Sequence, residues 1–274
     1  MPTIGGAGAP VVIRIGRCPS RALRCDGAVI ITWLGHATVL IEINGVRLLT
    51  DPVLRDRIGP LARIAPRGAA ASVGRVDCVL LSHLHADHAD LPSLRQVASS
   101  IPVLAPQGTG DWLRRKGLRD VRELRLGSGV TMGELRVSAT PATHDGRRHP
   151  LGPRGEAVGY LVEGARSVYF AGDTDLFEGM SQLKGSVTVA LLPVWGWGPR
   201  LGPGHLDPER AARAAELIAP EFAIPIHWGT FAPRWPGGRM ADPERPAREF
   251  ARLTKRRAPS VEVRVLAPGE RTEL

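Results

Sequence analysis

The segment Ser82-His83-Leu84-His85-Ala86-Asp87-His88 constrains this chain more than any other, because it follows directly on the apolar strand candidate Asp77–Leu81. A nearly all-apolar strand is expected to be buried on both faces of a sheet. Three imidazoles and a carboxylate within six residues then emerge at its end. Alternate residues of an extended segment point the same way, so His83 and His85 can converge on one metal ion. The turn at Ala86 swings Asp87 and His88 toward a second point nearby. Packing alone gives no reason for such a cluster. Imidazole with carboxylate suits Zn, Fe or Mn, and no thiolate is at hand to favour a softer site.

The same grammar recurs downstream. His144 follows the strand candidate Glu134–Thr140, Asp173 follows Ser167–Ala171, and His227 follows Phe222–Ile226, each beside Gly or Thr. Ligands on strand ends are carried by rigid elements, as a metal site requires. Between these strands, helices are expected at about 91–99 behind the cap Asp90, at 109–116, at 208–219 behind Asp207, and at 243–253. Strands are also expected at Val11–Ile15, Val29–Trp33, Thr38–Ile43, Val46–Thr50, Val103–Ala105, Val121–Leu126, Ala157–Val162, Thr188–Leu192 and Val261–Leu266. Asn44-Gly45 reads as a type I′ hairpin turn. Residues 55–75, rich in Arg, Pro and Gly, read as a long surface loop. Many short strands with interspersed helices make an α/β layered sandwich. No linker divides residues 1–274, so a single domain is expected.

Composition narrows the function. With 43% hydrophobic residues, the 274-residue chain can bury a substantial core and is not a disordered or collagen-like sequence. Its 36 Lys plus Arg against 27 Asp plus Glu give a net charge of +9, which invites a nucleic-acid or anionic-membrane reading. Only three of those cations are lysines, so the excess reads first as an arginine-biased composition. Cys18, Cys25 and Cys78 make no disulfide framework, and Cys78 lies in an apolar run that suits a buried thiol. No signal peptide and no membrane-spanning run is seen, so a cytoplasmic setting is expected.

Taken together, His83, His85, Asp87 and His88, then His144, Asp173 and His227, resemble the signature of the metallo-β-lactamase fold superfamily of dinuclear metallohydrolases. Within it, TWLGHATVLIEI (32–43), LLTDPVL (48–54), AGDTDL (171–176), GHLDPERAA (204–212) and IPIHWGTF (224–231) resemble the branch containing N-acylphosphatidylethanolamine phospholipase D and L-ascorbate-6-phosphate lactonase. The resemblance covers about residues 29–235; residues 1–27 and the arginine-rich tail after Arg234 lie outside it. It implies a four-layer αβ/βα sandwich with metals at one edge of the paired sheets. His83, His85 and His144 would bind one divalent ion, Asp87, His88 and His227 the second, and Asp173 would bridge both. Zinc leads as the metal, with Mn or Fe as alternatives.

Two such ions can share a bridging hydroxide, since metal binding lowers the pKa of water to near neutrality. The expected activity is hydrolysis of a phosphodiester, phospholipid-like or lactone substrate, small and anionic, with Asp87, Asp173 and His205 as catalytic residues. His205, in a Gly-rich loop before a helix, is assigned to proton donation or transition-state stabilisation, against a packing role. His36 is expected to line the substrate site or to pack its turn. Trp195 and Trp197 either wall the cleft against an apolar group or pack their loop. Arg147, Arg148 and Arg200 are candidate anion contacts. Asp51 either orients a ligand histidine or caps its own turn, and Ser82 is a local hydrogen-bonding residue. The first alternative is a nuclease of the same fold. However, the stretch from Asp173 to His227 already holds a strand, a loop and a helix, leaving no room for the extra domain of nucleic-acid-cleaving relatives. No stable nucleic-acid partner is expected. The second alternative is a mononuclear iron thiol dioxygenase, against which His88 and His227 complete a second site.

Overall fold

Asn44 and Gly45 both take positive φ, 49° and 73°, as a two-residue type I′ turn requires. They join β3 (Thr38–Ile43) to β4 (Val46–Thr50) in the register Ile43↔Val46. The computed structural model describes residues 11–13, 27–66, 73–238 and 240–274. Residues 14 and 15 of the first expected strand, Cys18, Cys25 and Arg67 lie outside the described residues.

The hairpin sits in a seven-stranded sheet ordered β18 (Arg271–Glu273), β2 (Val29–Gly35), β3, β4, β7 (Cys78–Leu80), β8 (Val103–Pro106), β9 (Val121–Leu124). Its first four strands pair antiparallel and the rest parallel. The second sheet has eight strands: β1 (Val11–Ile13), β10 (Gly129–Met132), β11 (Leu135–Pro141), β12 (Val158–Glu163), β13 (Ser167–Phe170), β14 (Val189–Pro193), β15 (Phe222–Ile226), β17 (Glu262–Val263). From β13 onward its pairs are parallel.

Side-chain alternation separates the layers. Cys78, Leu80 and Leu104 join the core shared with the eight-stranded sheet, alongside Val137, Tyr160 and Phe170. Their neighbours Val79, Leu81, Val103 and Ala105 face the other way and pack on Leu94 of α1 (Leu91–Val97) and Leu113 of α2 (Gly110–Arg115). On the far side, the buried alanines of α3 (Pro208–Ile218) and Phe250 of α4 (Arg245–Arg257) cover the eight-stranded sheet. Four layers result, helix–sheet–sheet–helix. Tyr160 nails the two sheets together: its buried hydroxyl donates to Leu81 O at 2.7 Å.

Both expected caps are made, since Asp90 accepts from Ser93 N and Asp207 from Arg210 N. Several boundaries shift. Residues 55–75 are not all loop: β5 (Arg57–Ile58) and β6 (Leu61–Arg63) form a hairpin that pairs with β16 (Phe231–Pro233) in a third, three-stranded sheet. Val53, Ile58, Leu61 and Phe231 give that sheet its own small core. The strand expected at 261–266 shortens to Glu262–Val263, and α4 extends to Arg257. No helix among the described residues is long and apolar enough to cross a membrane.

Candidate metal centre

Every expected ligand lies just beyond the C-terminal end of a strand: His83 to His88 after β7, His144 after β11, Asp173 after β13 and His227 after β15. Asp51 follows β4, and His36 follows β2. Parallel and mixed sheets open their crevice at this end. The folding of the two sheets against each other therefore collects residues far apart in sequence.

The geometry brings the seven expected ligands into two adjoining groups. In the first, His85 Nδ1 lies 2.9 Å from His83 Nε2 and 3.1 Å from His144 Nε2. In the second, Asp87, His88 and His227 gather with His36. Asp173 lies against it, with Oδ2 at 3.1 Å from His88 Nε2 and Oδ1 at 3.2 Å from His227 Nε2. Asp173 also groups with His144 and His205, so it stands between the two clusters.

The ring nitrogens facing inward carry lone pairs, because the outward ones are already donors. His227 Nδ1 donates to Trp195 O at 2.8 Å, and His144 Nδ1 to Gly204 O at 2.8 Å. His88 Nδ1 donates to Asp51 Oδ2 at 2.7 Å. Ser82 Oγ gives its proton to Asp51 Oδ2 at 2.5 Å and accepts from His83 Nδ1 at 2.9 Å. When neutral, rings so held would point bare nitrogens at one another across the 3.1 Å between His88 Nε2 and His227 Nε2. Asp173 Oδ1 is buried and has no hydrogen-bond donor. Acceptors facing acceptors are unfavourable unless a cation sits among them, and imidazole with carboxylate is the donor set for Zn, Fe or Mn. The residues fit a metal centre.

Protonation follows from the same arrangement. Burial holds His83 well below its ordinary value, reinforced by His88. Burial, with His144 beside it, takes His85 down to about 4, and burial also lowers His144. For His88 burial acts downward too, but Asp173 and Asp51 outweigh it and raise the ring well above the usual range. Burial pushes the Asp87 and Asp173 carboxyls up. The hydrogen bond from His36 to Asp87, and His227 and His88 beside Asp173, more than reverse this and hold both carboxyls well down. Without metal, then, a proton on His88 substitutes for the missing positive charge. Metal binding must release it.

The remaining expected residues fall in different places. His205 Nε2 lies 3.4 Å from Asp173 Oδ2, with the side chain 21% exposed at the edge of the cluster. Burial lowers it, yet the Asp173 carboxylate raises it overall. His36 is 1% exposed, enclosed behind the second group. Trp195 packs against the core and donates its indole N–H to Gly198 O, whereas Trp197 is 38% exposed. Arg147 turns to Asp145. Arg148 does not face solvent as an anion contact would: its Nη1 donates to Leu84 O at 3.1 Å and Ala89 O at 2.6 Å, fastening the motif turn. Asp51 is fully buried and takes His88 and both donors of Ser82. Sequence reasoning missed Arg210, which reaches Asp175, Asp207 and His205 O. The i,i+3 spacing links Arg210 to Asp207, but no spacing rule reaches Asp175.

Known proteins share this organisation. Residues 46–228 match the family model described as "Beta-lactamase superfamily domain". A UPF0173 metal-dependent hydrolase of Methanopyrus kandleri is 36% identical, covering 89% of this chain and 99% of its own. The N-acyl-phosphatidylethanolamine-hydrolyzing phospholipase D 1 of Caenorhabditis elegans is 30% identical over 73% of this chain and 64% of its own. Among solved structures, Igni18, a metallo hydrolase from Ignicoccus hospitalis, superposes with a TM-score of 0.70 at 26% identity, covering 90% of this chain and 98% of its own. By its matched domain, its sandwich and its converging imidazoles and carboxylates, the chain belongs to the metallo-β-lactamase superfamily, as a metal-dependent hydrolase.

Proposed function

We propose that the centre holds two divalent ions, zinc foremost with manganese or iron as alternatives, and hydrolyses a small anionic phosphodiester, phospholipid-like or lactone substrate. The observation that carries this reading is the convergence of bare ring nitrogens and a donorless buried Asp173 oxygen in two adjoining groups. The name of the Caenorhabditis elegans relative supports the phospholipid-like option. When bound, the ions supply Lewis acidity and lower the pKa of water.

The chain's own residues do the rest. His83, His85 and His144 would hold one ion and Asp87, His88 and His227 the other, with Asp173 lying between the two groups. Asp51 and Ser82 lock the tautomers of His88 and His83 from behind. His205, whose pKa the Asp173 carboxylate raises and whose side chain is partly exposed, would give a proton to the departing oxygen. Trp197 and the half-buried Trp195 offer apolar surface beside the loop that carries His205. The positive net charge, +9, favours approach of an anion.

The test is a hydrolysis panel on zinc- and manganese-loaded protein, with bis(p-nitrophenyl) phosphate, a sugar-phosphate lactone, an N-acyl phospholipid and RNA, and Asp173→Ala as control. Turnover of one of the first three that vanishes in the control is the expected result. Exclusive cleavage of RNA, or turnover undiminished in Asp173→Ala, overturns the proposal.

A further inference from the structure

His36 sits in a backbone conformation that histidine rarely adopts. Its φ is 53°, and among the described residues only five non-glycine positions share positive φ; three of them, His36, Asp51 and His227, meet at this centre. Strained backbone persists only where the surroundings over-determine it. Three hydrogen bonds do so here: His36 N donates to Thr230 Oγ1 at 2.7 Å, and His36 O accepts from Trp33 Nε1 and His227 N, each at 2.9 Å. Gly35 just before it has φ +109°, and a Cβ there would meet Thr230 Cγ2 at 2.8 Å, so the approach itself demands glycine.

The side chain so placed touches two of the expected ligands. Its Nε2 lies 3.1 Å from Asp87 Oδ2, and its ring lies over that of His227 with centroids 3.9 Å apart. Phe231 closes it off edge-on. A carboxylate only accepts, so the proton of this buried imidazole is on Nε2. With that nitrogen engaged, Nε2 has no lone pair to offer a metal. Fixing one oxygen of Asp87 leaves the other free to turn toward His88 and His227.

We propose that His36 is a positioning residue for the second metal: its Nε2–H orients the Asp87 carboxylate. This rests on the reading of Asp87 as a metal ligand.

The experiment measures zinc per chain by mass spectrometry while the full-length protein is equilibrated with chelators of graded strength. Wild type, Asp87→Ala, His36→Ala and His36→Gln are compared. Asp87→Ala is expected to lose one class of zinc and keep the class held by His83, His85 and His144. His36→Ala should weaken the class lost in Asp87→Ala about 10–100-fold, the usual cost of removing a partner behind a ligand. His36→Gln, which supplies an N–H at a similar reach but no imidazole, should hold zinc as wild type does. Wild-type retention in His36→Ala, with Asp87→Ala impaired, refutes the positioning role alone. Loss in His36→Gln equal to that in His36→Ala also refutes it, by making the imidazole itself a ligand. Wild-type retention in Asp87→Ala overturns the two-metal reading and this inference with it. Should His36→Ala not fold, His36→Gln decides the matter, since the zinc class held by His83, His85 and His144 reports its folding.

Discussion

Arg210 grips Asp175 with Nη1, at 2.7 Å to Oδ1 and 2.5 Å to Oδ2, while its Nη2 donates to the carbonyl of His205 at 2.7 Å. One guanidinium thus ties the loop after β13, which carries Asp173, to the loop that carries His205. A planar fork can hold several acceptors where an ammonium cannot. Arg210→Lys is therefore expected to lower kcat about tenfold, consistent with roughly 1.4 kcal/mol of lost placement, while zinc content stays at the wild-type level. Steady-state kinetics beside metal analysis checks this; unchanged kcat would show that the His205 loop needs no clasp.

Asp51 should behave as part of the metal centre although it is not one of the seven expected ligands. It is fully buried and accepts from His88 Nδ1, Ser82 N and Ser82 Oγ. Asp51→Ala strands three buried donors, each costing about 1–3 kcal/mol. The expected outcome is a strongly lowered Tm together with metal affinity reduced about 10–100-fold. A variant that keeps zinc through gel filtration would disprove the link to His88.

Metal removal should destabilise the fold, because the inward-facing nitrogens and Asp173 Oδ1 lose the cation that reconciles them. Ligands that bind only the folded state add stability by mass action. Dialysis against a strong chelator should lower Tm, and one equivalent or more of zinc should restore it. Calorimetry with and without chelator measures this, and an unchanged Tm would contradict it.

In the metal-free protein, burial takes His36 down to about 3 and His85 to about 4, against an ordinary 6.5. The unfolded chain then takes up these protons first as pH falls. Stability is lost downward from about pH 6.5 and levels off below the folded values. For the fully buried His36 a shift of that size is worth on the order of 5 kcal/mol. His88 runs the other way: its raised value stabilises below 6.5, and that contribution is lost as pH rises through it. Thermal melts from pH 7 to pH 4 should show an acid decline that His36→Gln flattens; parallel curves for the two proteins would exclude His36 as a source.

Gly172 packs where no side chain fits. Its φ is +61°, and a Cβ would lie 2.7 Å from Ser82 Cβ and 3.0 Å from Val158 O. Gly172→Ala should push β13 and its Asp173 away from the Ser82 turn, lowering both Tm and zinc content. Wild-type values for both would refute the contact.

The parts legible in the sequence were those governed by local physics. The strand that ends at the histidine cluster is continuous and apolar, Asn44-Gly45 can make only a few turns, and Asp90 and Asp207 cap helices within three residues of themselves. What escaped depends on remote partners. β18 is Arg-Thr-Glu, polar throughout, and becomes a strand only because β2 offers it an edge. Leu61-Ala62-Arg63 was hidden in a loop-like composition because its pairing partner, β16, follows the last ligand. Arg148 reads as an exposed cation until the carbonyls of Leu84 and Ala89 are in place. The burial of His36 was equally out of reach, since Asp87 and the pair Thr230 and Phe231 converge on it from two separate stretches.

The pairing of β2 with β18 also sets an order of events during synthesis. The strand that leads into His36 leaves the ribosome early, with one edge unpaired, and every ligand from His83 to His227 is made before residues 271–273 can close it. The nascent chain thus carries a complete set of metal donors while the sheet beneath them still has an open edge, an exposure that invites association with other chains. Metal captured at that stage would bind before the sandwich is finished.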